Sequence, residues 1–469
     1  MKKSHAILLL TFTFSLFTNL CSAQYTILRS FNGPDGLNPQ GSLLLAGNVL
    51  YGMSGGGGAN GDGCIYSIHT DGSNYIDLFD FNVTNGRGAQ GSLILSGKTL
   101  FGMAEYGGLY GWGNIFSIDT NGNNFKVILN FDNLDGGYPR GTPMLSGTKL
   151  FGMTSFGGIN NKGEVFTIDT SGNNFKDLHD FDITYGEFPY GNVVLSGKTL
   201  FGMASGGGAF SDGMLFSVDT TGGHFKDMLD FNVANGKTPE GSLTLSVSGE
   251  VLYGMTDVGG LKDSGCVFKI DTSGAAYRDL LDFGGLDGNY PPANYLTLSG
   301  NVLYGMTTYG GVNKLGVIFS IDTDRTGYKK LFDFSTAKGA YPGSSLTMSG
   351  NTFYGTTTYG GAHFDGVVFK FKDTNITTSS NQLSVASGQC VVYPNPSNGI
   401  FTLITTGDGI KAATMEVFNV LGERVFTRKI RQADDKIINL SNQPKGIYFY
   451  NVISADGSFQ GKGILIIQK

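Results

Sequence analysis

A repeat of about 50 residues constrains the fold of this chain more strongly than any other feature. A short motif of Tyr or Phe, then Gly, then Met or Thr, occurs seven times, with steps of 50, 50, 50, 52, 51 and 50 residues. Its glycines are Gly52, Gly102, Gly152, Gly202, Gly254, Gly305 and Gly355. Seven copies at a nearly constant spacing predict a propeller or a solenoid, in which each small unit buries its faces only against its neighbours.

Each unit contains four short apolar segments separated by turn residues. In the second unit these segments are residues 92–96, 99–103, 115–119 and 125–131, and Gly, Asn, Ser and Thr are frequent between them. Segments of about five residues between such turns are typical of small antiparallel sheets. No segment has the helical period, so a helical solenoid is not predicted. Four strands per unit match one blade of a propeller.

The two ends of the array favour a closed ring over an open one. Residues 25–31 have the pattern of a fourth strand but precede the first complete unit, whereas the seventh unit ends after its third segment, residues 367–371. A solenoid would need polar capping units, and neither end of the array has one. We therefore predict an all-β fold, a seven-bladed β-propeller closed by the N-terminal strand, which leaves no free sheet edge.

Two repeat positions have structural explanations. The glycine of the recurrent motif lies within the second strand, which predicts a close approach of backbone or room for an aromatic ring. Cys64 and Cys266 fill the same third-strand position in two repeats, and we expect this position to hold a small apolar core residue. The other copies have Asn114, Glu164, Met214, Val317 and Val367 there.

The repeating unit also resembles a known bacterial repeat. Residues 25–372 follow the pattern LxGMTxxGGxxxxGxxFSIDTxGxxF, which is similar to the Gly-rich GloVer tandem repeat of secreted bacterial proteins. The Gly-Gly pair resembles kelch blades more weakly, and the single tryptophan, Trp112, leaves no recurring Trp-Asp pair of the WD40 kind. The GloVer resemblance implies a propeller-like fold and an extracellular location, and it implies no particular activity.

The first 23 residues have the composition of a secretory signal peptide. Lys2 and Lys3 precede an apolar run over residues 6–20, and a small-residue stretch ends at Ala23. This pattern predicts signal cleavage between Ala23 and Gln24 and a secreted protein. A membrane anchor is the alternative, but the apolar run is short for a bilayer span.

The C-terminal part of the chain differs from the repeats. Residues 373–389 include a stretch rich in Ser, Thr and Asn, which is typical of a linker. Residues 390–469 contain about seven short apolar or alternating segments, which predict a small Ig-like β-sandwich. The predicted organisation is a signal peptide (1–23), a propeller (24–372), a linker (373–389) and a second domain (390–469).

Several motifs of the second domain occur in the order found in one family of secretion signals. They are PNPSNG at residues 394–399, a VLG hairpin within residues 415–425, LSNQPKGIY at residues 440–448 and a basic last residue, Lys469. The domain therefore resembles the type A C-terminal sorting domain of the type IX secretion system of Bacteroidota. The resemblance implies that residues 390–469 engage the type IX secretion machinery for export across the outer membrane. It also implies that this domain is usually removed and the remainder attached to surface lipopolysaccharide. An ordinary sandwich domain that binds a ligand is the alternative.

Charge is divided unevenly between the two domains. Residues 390–469 carry a net charge of +3 and the whole chain −6, so residues 1–389 carry −9. An acidic propeller is poorly suited to nucleic acid or to anionic membrane surfaces. We therefore predict no nucleic-acid partner.

No group of residues has the spacing of a catalytic or metal-binding motif. Four His residues occupy different positions in four repeats, and we expect them on surfaces or in turns rather than around a metal ion. They are His69, His179, His224 and His363. The segment that begins at Asp119 resembles a calcium loop only faintly, because its glycine stands at the fourth position and Asn130 at the twelfth. We predict no catalytic residues, no metal ion and no cofactor.

The variable residues lie in two sets of loops that the predicted topology places on one face. One set joins the second strand to the third, and the other joins each fourth strand to the next unit. Function usually resides in such variable loops on a regular scaffold. The loops are rich in aromatic residues, and further ones occur at Phe156, Tyr185, Phe188 and Tyr190. The candidate ligand-binding residues are Tyr106, Tyr110, Trp112, Phe210, Tyr309, Tyr359 and Phe364.

Some of these aromatic residues have a purely structural alternative. Phe156, Tyr309 and Tyr359 precede a Gly-Gly pair, where packing between blades is equally consistent with the pattern. Tyr110, Trp112 and Phe364 lie at loop centres, where exposure and ligand contact are expected. Loop carboxylates could form a glycosidase pair, although such residues are common in exposed loops. They are Glu105, Glu187, Asp212, Asp257 and Asp365.

The sequence therefore favours a secreted, cell-surface propeller that acts as a binding or scaffold module. Catalysis needs a few convergent groups with matched pKa values, and no such group departs from the repeat in a coordinated way. Binding needs only a shaped face with aromatic anchors. The ligand, glycan or protein, stays open, and a polysaccharide-active glycosidase or lyase is the alternative function.

Overall fold

A computed structural model describes residues 24–292, 295–374, 390–393, 399–405, 413–419, 423–430, 437–454 and 459–467. The predicted signal peptide, most of the predicted linker and the PNPSN part of the sorting motif lie outside these residues. The chain divides into two compact units near residue 376. Among the described residues, no helix has the length and hydrophobicity needed to cross a bilayer.

In the first unit, the described residues form seven antiparallel sheets of four strands, here called sheets 1 to 7 in chain order. The first strands are β2 (Leu44–Ala46), β6 (Ile94–Ser96), β10 (Met144–Ser146), β14 (Val194–Ser196), β18 (Thr244–Leu245), β22 (Thr297–Ser299) and β26 (Thr347–Ser349). The second strands are β3 (Val49–Ser54), β7 (Thr99–Ala104), β11 (Lys149–Thr154), β15 (Thr199–Ala204), β19 (Val251–Thr256), β23 (Val302–Thr307) and β27 (Thr352–Thr357).

The third and fourth strands of the seven sheets follow in the same order. The third strands are β4 (Cys64–His69), β8 (Asn114–Asp119), β12 (Glu164–Asp169), β16 (Met214–Asp219), β20 (Cys266–Asp271), β24 (Val317–Asp322) and β28 (Val367–Lys372). The fourth strands of sheets 1 to 6 are β5 (Ile76–Asp80), β9 (Lys126–Asn130), β13 (Lys176–Asp180), β17 (Lys226–Asp230), β21 (Arg278–Asp282) and β25 (Lys329–Asp333). Two 3-10 helices, Gly285–Asp287 and Thr336–Lys338, lie in the loops that enter sheets 6 and 7.

Sheet 7 takes its fourth strand from the beginning of the chain. Strand β1 (Gln24–Ser30) pairs antiparallel with β28, with Gln24 opposite Lys372 and Ser30 opposite Val367. The ring of Tyr25 stacks on Phe332 of sheet 6 at a centroid distance of 4.3 Å, so β1 also contacts the preceding sheet. The sequence prediction for residues 25–31 agrees with this pairing.

The glycine of the recurrent motif makes room for an aromatic ring of the same sheet. Gly102 lies opposite Phe116 in the register of β7 and β8, and a Cβ atom on Gly102 would lie 2.5 Å from the tip of the Phe116 ring. Gly152 has the same relation to Phe166. Any larger residue at these positions would displace a fully buried ring.

The apolar core of the first unit lies between consecutive sheets. One buried cluster combines Met53, Ile65 and Phe81 of sheet 1 with Leu100 and Phe116 of sheet 2, and equivalent clusters follow along the array. Each sheet therefore buries its faces against its neighbours, which is why one unit cannot be stable alone. The arrangement of repeated four-stranded sheets is propeller-like.

Residues just before the first strands link successive sheets by equivalent hydrogen bonds. The amide of Ser42 donates to the hydroxyl of Ser92, and the amide of Ser92 donates to the hydroxyl of Thr142, each at 2.8 Å. The series continues to Asn192, and at the other end of the array the Ser345 amide donates to Ser42 at 2.8 Å. Sheets 7 and 1 are thus joined in the same way as consecutive sheets.

The second unit contains two antiparallel sheets that share one apolar core. The first sheet has β29 (Cys390–Tyr393), β30 (Ile400–Thr405) and β33 (Ile437–Asn439). The other has, in spatial order, β32 (Arg424–Ile430), β31 (Ala413–Phe418), β34 (Gly446–Ser454) and β35 (Phe459–Ile467). Phe401 and Ile438 of the first sheet pack in one cluster with Met415, Val452 and Leu465 of the other. This is a small all-β unit, and the Ig-like topology stays a prediction.

Candidate functional site

A small cavity lies where the segments that precede the first strands of all seven sheets converge. It has a volume of about 70 Å³ and we call it the first-strand cavity. Its polar side chains come from the turn that precedes each first strand, because this turn occupies the same place in every repeat. The polar lining includes Gln40, Gln90, Arg140, Tyr190, Asn192 and Tyr295.

A buried ion pair stands beside this cavity. Glu105, which is only 1% exposed, accepts hydrogen bonds of 2.6 Å from Gln90 Nε2 and from Arg140 Nε. The guanidinium of Arg140 also lies 4.6 Å from the ring centroid of Tyr190. A cation held between a carboxylate and an aromatic face is well placed to contact an anionic or polyhydroxylated ligand.

Two further carboxyl groups, those of Asp257 and Glu240, have raised pKa values. Asp257 occupies in sheet 5 the position that Glu105 has in sheet 2. Burial, together with the charge of Glu240, raises the pKa of Asp257 to about 8. Burial also raises the pKa of Glu240, and the charge of Arg140 opposes that shift. Unlike Glu105, Asp257 has no ion pair among the described residues, which explains why it can retain a proton at neutral pH.

Aromatic residues form two continuous chains in the loops of the same repeats. In arc 1, defined as Tyr106, Tyr138, Phe156 and Phe188, neighbouring ring centroids lie 5.3, 5.6 and 4.9 Å apart. Arc 2 consists of Tyr290, Tyr309, Tyr341 and Tyr359, with spacings of 5.9, 5.2 and 6.0 Å. Three of these six contacts are edge-to-face and three are tilted, and all the distances are typical of aromatic pairs.

Short stretches of loop backbone connect arc 1 to the first-strand cavity. Tyr138 and Arg140 are two residues apart, and so are Phe188 and Tyr190. In each pair the first side chain belongs to arc 1 and the second lines the cavity. Tyr106 follows Glu105 directly, and burial, followed by its hydrogen bond to that carboxylate, raises the pKa of Tyr106. Arc 1 and the cavity therefore form one candidate binding face.

The three aromatic residues that precede Gly-Gly pack against neighbouring loops, and two of them also keep exposed surface. Phe156, Tyr309 and Tyr359 contact aromatic residues of adjacent loops, as the packing alternative requires. Tyr309 and Tyr359 nevertheless keep 46% and 47% of their surface exposed. The same rings thus pack between repeats and present a surface to solvent.

Trp112 differs from the expectation of an exposed residue at a loop centre. Its ring packs on Tyr138 at 4.8 Å, and a Cβ atom on Gly137 would lie 2.8 Å from it, so Trp112 is partly buried. Tyr110, Phe210 and Phe364 are exposed at their loops, as expected. These three side chains have no aromatic contact to either arc among the described residues.

Sequence analysis did not single out Tyr138, Tyr290 and Tyr341. They occupy a loop position with φ angles of 55°, 49° and 54°, where the first repeat has Asn38. Bulky side chains are uncommon in this left-handed region. Tyr in a repeat position that suits Asn or Gly is a signal in the sequence, but the backbone angle that gives it meaning is visible only in the structure.

The remaining loop carboxylates do not join the cavity. Glu187 forms an ion pair with Lys162, and Asp212 and Asp365 lie half-buried in loops of sheets 4 and 7. Among the described residues, none of the five predicted carboxylates lines the first-strand cavity, although Glu105 pairs with the lining residues Gln90 and Arg140. The five predicted carboxylates therefore do not converge as one group.

The His residues are dispersed along the array, and one of them packs between two sheets. His179 stacks on Phe225 of the next sheet at 3.6 Å, and burial lowers its pKa to about 4. His224 lies in a turn beside Asp219, and His363 is exposed in a loop. None of the four belongs to a cluster of metal-ligating groups among the described residues.

The third-strand position expected to be small and apolar holds a buried carboxyl group in sheet 3. Glu164 is 1% exposed, and its ligand oxygen lies within 4.8 Å of those of Asp177 and Asp180. Burial, followed by the charges of the two Asp residues, raises the pKa of Glu164 to about 9. Sequence analysis missed this cluster, although a charged residue in a core position was the available signal.

Family comparisons identify both units of the chain. Residues 13–142, 96–251 and 244–411 match the Gloeobacter/Verrucomicrobia repeat. Residues 391–467 match the secretion system C-terminal sorting domain. The latter implies export by the type IX secretion system to the cell surface or the extracellular space.

More specific comparisons are limited to partial or distant similarity. The ulvan lyase NLR42 of Nonlabens ulvanivorans is 36% identical over 80 residues, which cover 16% of this chain and 15% of that enzyme. The crystal structure of the polysaccharide lyase Uly1 superimposes with a TM-score of 0.47 at 12% identity and covers 72% of this chain and 91% of its own. A Bacteroides uniformis protein with a proposed 6-phosphogluconolactonase activity gives 0.43 at 15% identity, covering 67% and 88%.

Each of these three similarities is either too short or too distant to assign an activity to this chain. The repeat matches, in contrast, together extend over residues 13–411. The pattern of seven four-stranded sheets agrees with that assignment. The chain therefore belongs to the Gloeobacter/Verrucomicrobia repeat family and carries a secretion system C-terminal sorting domain at residues 391–467.

Proposed function

We propose that the seven sheets form a closed seven-bladed propeller and that it acts on the cell surface as a glycan-binding module. The closure is supported by the pairing of β1 with β28 and by the hydrogen bond between Ser345 and Ser42. A closed ring keeps all seven loop sets in a fixed relation, and a rigid scaffold of this kind favours a preformed binding face.

The observation that carries the binding function is the continuity of arc 1 with the first-strand cavity. Sugar rings present apolar faces that pack on aromatic side chains and hydroxyl groups that need polar partners. Arc 1 supplies the aromatic surface, and Gln90, Arg140 and Tyr190 supply donors and acceptors beside it. The Arg140 guanidinium would favour a glycan that carries carboxylate or sulfate groups.

Surface display follows from the sorting domain, and the mode of retention is part of the proposal. After export, residues 390–469 are removed and the propeller is attached to surface lipopolysaccharide. The acidic propeller would not adhere to the anionic surface by charge alone, so a covalent attachment would explain its retention. Release into the medium is the outcome that would contradict attachment.

Binding is tested with the full chain lacking the signal peptide on a glycan array that contains neutral, uronic-acid and sulfated polysaccharides. Arg140→Gln introduces the residue that Gln40 and Gln90 provide in sister repeats, and Tyr138→Ala interrupts arc 1. Both variants should weaken saturable binding at least tenfold. Tyr185→Ala is the matched control, because Tyr185 is an exposed loop aromatic outside both arcs. Binding that no arc or cavity variant changes would contradict this site.

A polysaccharide-active enzyme is the second candidate, and the partly buried carboxyl group of Asp257, which has a raised pKa, is the feature that favours it. A carboxyl group that keeps its proton near neutral pH can act as a general acid, and Arg140 could neutralise a uronate carboxylate. Digestion of the same polysaccharides distinguishes the candidates. Reducing ends indicate hydrolysis, and ultraviolet-absorbing unsaturated ends indicate a lyase. Product release that Asp257→Asn abolishes would replace the binding function by an enzymatic one.

A further inference from the structure

The acidic cluster of sheet 3 contains no residue that lines the first-strand cavity, and its composition is unusual for the repeat. Glu164 on β12 is directly opposite Asp180 on β13, and a register shift in this strand pair accompanies the approach of Asp177 to Asp180. The ligand oxygens of the three carboxyl groups lie within 4.8 Å of one another. Three carboxyl groups at this distance repel one another unless protons or a cation reside between them.

A second observation comes from polar atoms that lack partners. Glu164 Oε1 and Thr154 Oγ1 are buried, and neither has a hydrogen-bond partner among the described residues. A Cβ atom on Gly136 would lie 2.8 Å from the first and 2.5 Å from the second, so both oxygens face the same small space. Buried polar atoms are nearly always satisfied, and an ion or ordered water is the usual reason for an apparent exception.

In two sister sheets, contacts between side chains close this space. Cys64 Sγ lies 3.3 Å from Ser54 Oγ, and Cys266 Sγ lies 3.2 Å from Thr256 Oγ1, at the positions of Glu164 and Thr154. In sheet 2, Asn114 donates from its Nδ2 atom to the carbonyl of Asn85 at 2.9 Å, while its Oδ1 atom is buried without a partner among the described residues. Sheet 3 has a carboxyl group instead, and its buried Oε1 atom has no such contact among the described residues.

Thr154 also differs from the threonines at the same position in sister sheets. Thr256, Thr307 and Thr357 each donate their hydroxyl to the carbonyl two residues later, at 3.1, 2.7 and 2.8 Å. Thr154 makes no hydrogen bond of this kind among the described residues. The orphaned hydroxyl and the orphaned carboxylate oxygen therefore coincide in the one sheet that has three carboxyl groups.

We propose that Glu164, Asp177 and Asp180 bind one Ca²⁺ ion, with the Thr154 hydroxyl beside it. Calcium takes six to eight oxygen ligands at 2.3–2.6 Å in flexible geometry. Opposite ligands of such an ion lie just under 5 Å apart, which is compatible with the observed spacing of the carboxylate oxygens. The smaller Mg²⁺ ion demands a tighter octahedron and fits this cluster less well. The bound ion would stabilise sheet 3.

The test measures calcium binding and melting temperature with the full chain lacking the signal peptide. The protein is stripped with a chelator and titrated with CaCl₂ or MgCl₂, and bound calcium is counted by equilibrium dialysis. Glu164→Met removes the carboxyl group and introduces the residue of sheet 4, Met214, so the fold has a precedent for it. Glu164→Gln serves as a second, nearly isosteric variant if the first does not fold.

The matched control lies in sheet 4, where Asp227 and Asp230 form a similar pair without a third carboxyl group. The wild type and Asp227→Asn should bind the same number of Ca²⁺ ions and gain melting temperature with CaCl₂. Both Glu164 variants should bind one ion fewer per chain and lose the calcium-dependent shift. Equal stoichiometry in wild type and Glu164 variants, or no binding by the wild type at millimolar calcium, would overturn the proposal and assign shared protons to the cluster.

Discussion

The amide of Ser345 donates a hydrogen bond of 2.8 Å to the hydroxyl of Ser42, which lies 303 positions earlier in the chain. The same bond joins Ser42 to Ser92 and Ser92 to Thr142 at a separation of 50 positions. The contact between the last and the first sheet is therefore chemically the same as the contact between consecutive sheets. This equivalence leads directly to the first prediction.

Deleting residues 24–32 should destabilise the first unit and promote self-association. The deletion removes β1, exposes the edge of β28 and takes away the Tyr25 ring that stacks on Phe332. An unpaired strand edge is a template for pairing with another chain. Melting temperature and size-exclusion chromatography measure the two effects. A truncated protein that is as stable and as monomeric as its parent would contradict ring closure.

Glu105 and Arg140 should show a strong energetic coupling. Glu105→Ser leaves a partly buried guanidinium without its carboxylate, and we expect a loss of about 1–2 kcal/mol, less than for a fully buried pair because Arg140 is partly exposed. The double variant Glu105→Ser/Arg140→Gln reproduces sister-repeat residues and should recover most of that loss. Urea unfolding of all four proteins gives the coupling energy. If the effects of the two substitutions on the free energy of unfolding were additive, Glu105 and Arg140 would contribute to stability independently.

Asp257 should make the folded state less stable as pH rises from about 4 to about 8. Its folded pKa of about 8 lies above its ordinary value of 3.8, so within this window the unfolded chain releases a proton that the folded chain keeps. The stabilising effect is complete below the ordinary value and is lost as pH rises towards 8. Asp257→Asn cannot release a proton, so its stability relative to the wild type should increase with pH, with a slope approaching about 1.4 kcal/mol per pH unit. Urea unfolding at several pH values measures this difference, and a difference independent of pH would contradict the raised pKa.

Removal of residues 390–469 should keep the propeller from reaching the cell surface. The matched family of this segment is a secretion sorting domain, and the first unit has its own core of inter-sheet clusters. The truncated protein should therefore fold but accumulate in the periplasm of a host that has the type IX system. Cell fractionation with surface proteolysis locates it. Normal amounts of the truncated propeller on the surface would show that the sorting information lies elsewhere.

Much of the architecture follows from the sequence because it depends on local patterns repeated seven times. The turn residues bound each strand, and Gly102 with its sister glycines marks where an aromatic ring crosses the second strand. The fourth-strand pattern of residues 25–31 and the sorting motifs were likewise visible in the chain itself. Such features depend on residues close in sequence, or on a period that the chain displays repeatedly.

The candidate sites depend on contacts that no single repeat contains, and only the tertiary structure decided them. Glu105 meets Arg140 across 35 residues because lateral packing brings the loop of one sheet to the turn of the next. Glu164 lies opposite Asp180 because of the register between β12 and β13. Asp177 comes close to both residues where that register shifts. A sequence pattern predicts which face of a strand a residue occupies. The packing of whole sheets sets the distances between neighbouring repeats, and it therefore decides which side chains come within hydrogen-bond range.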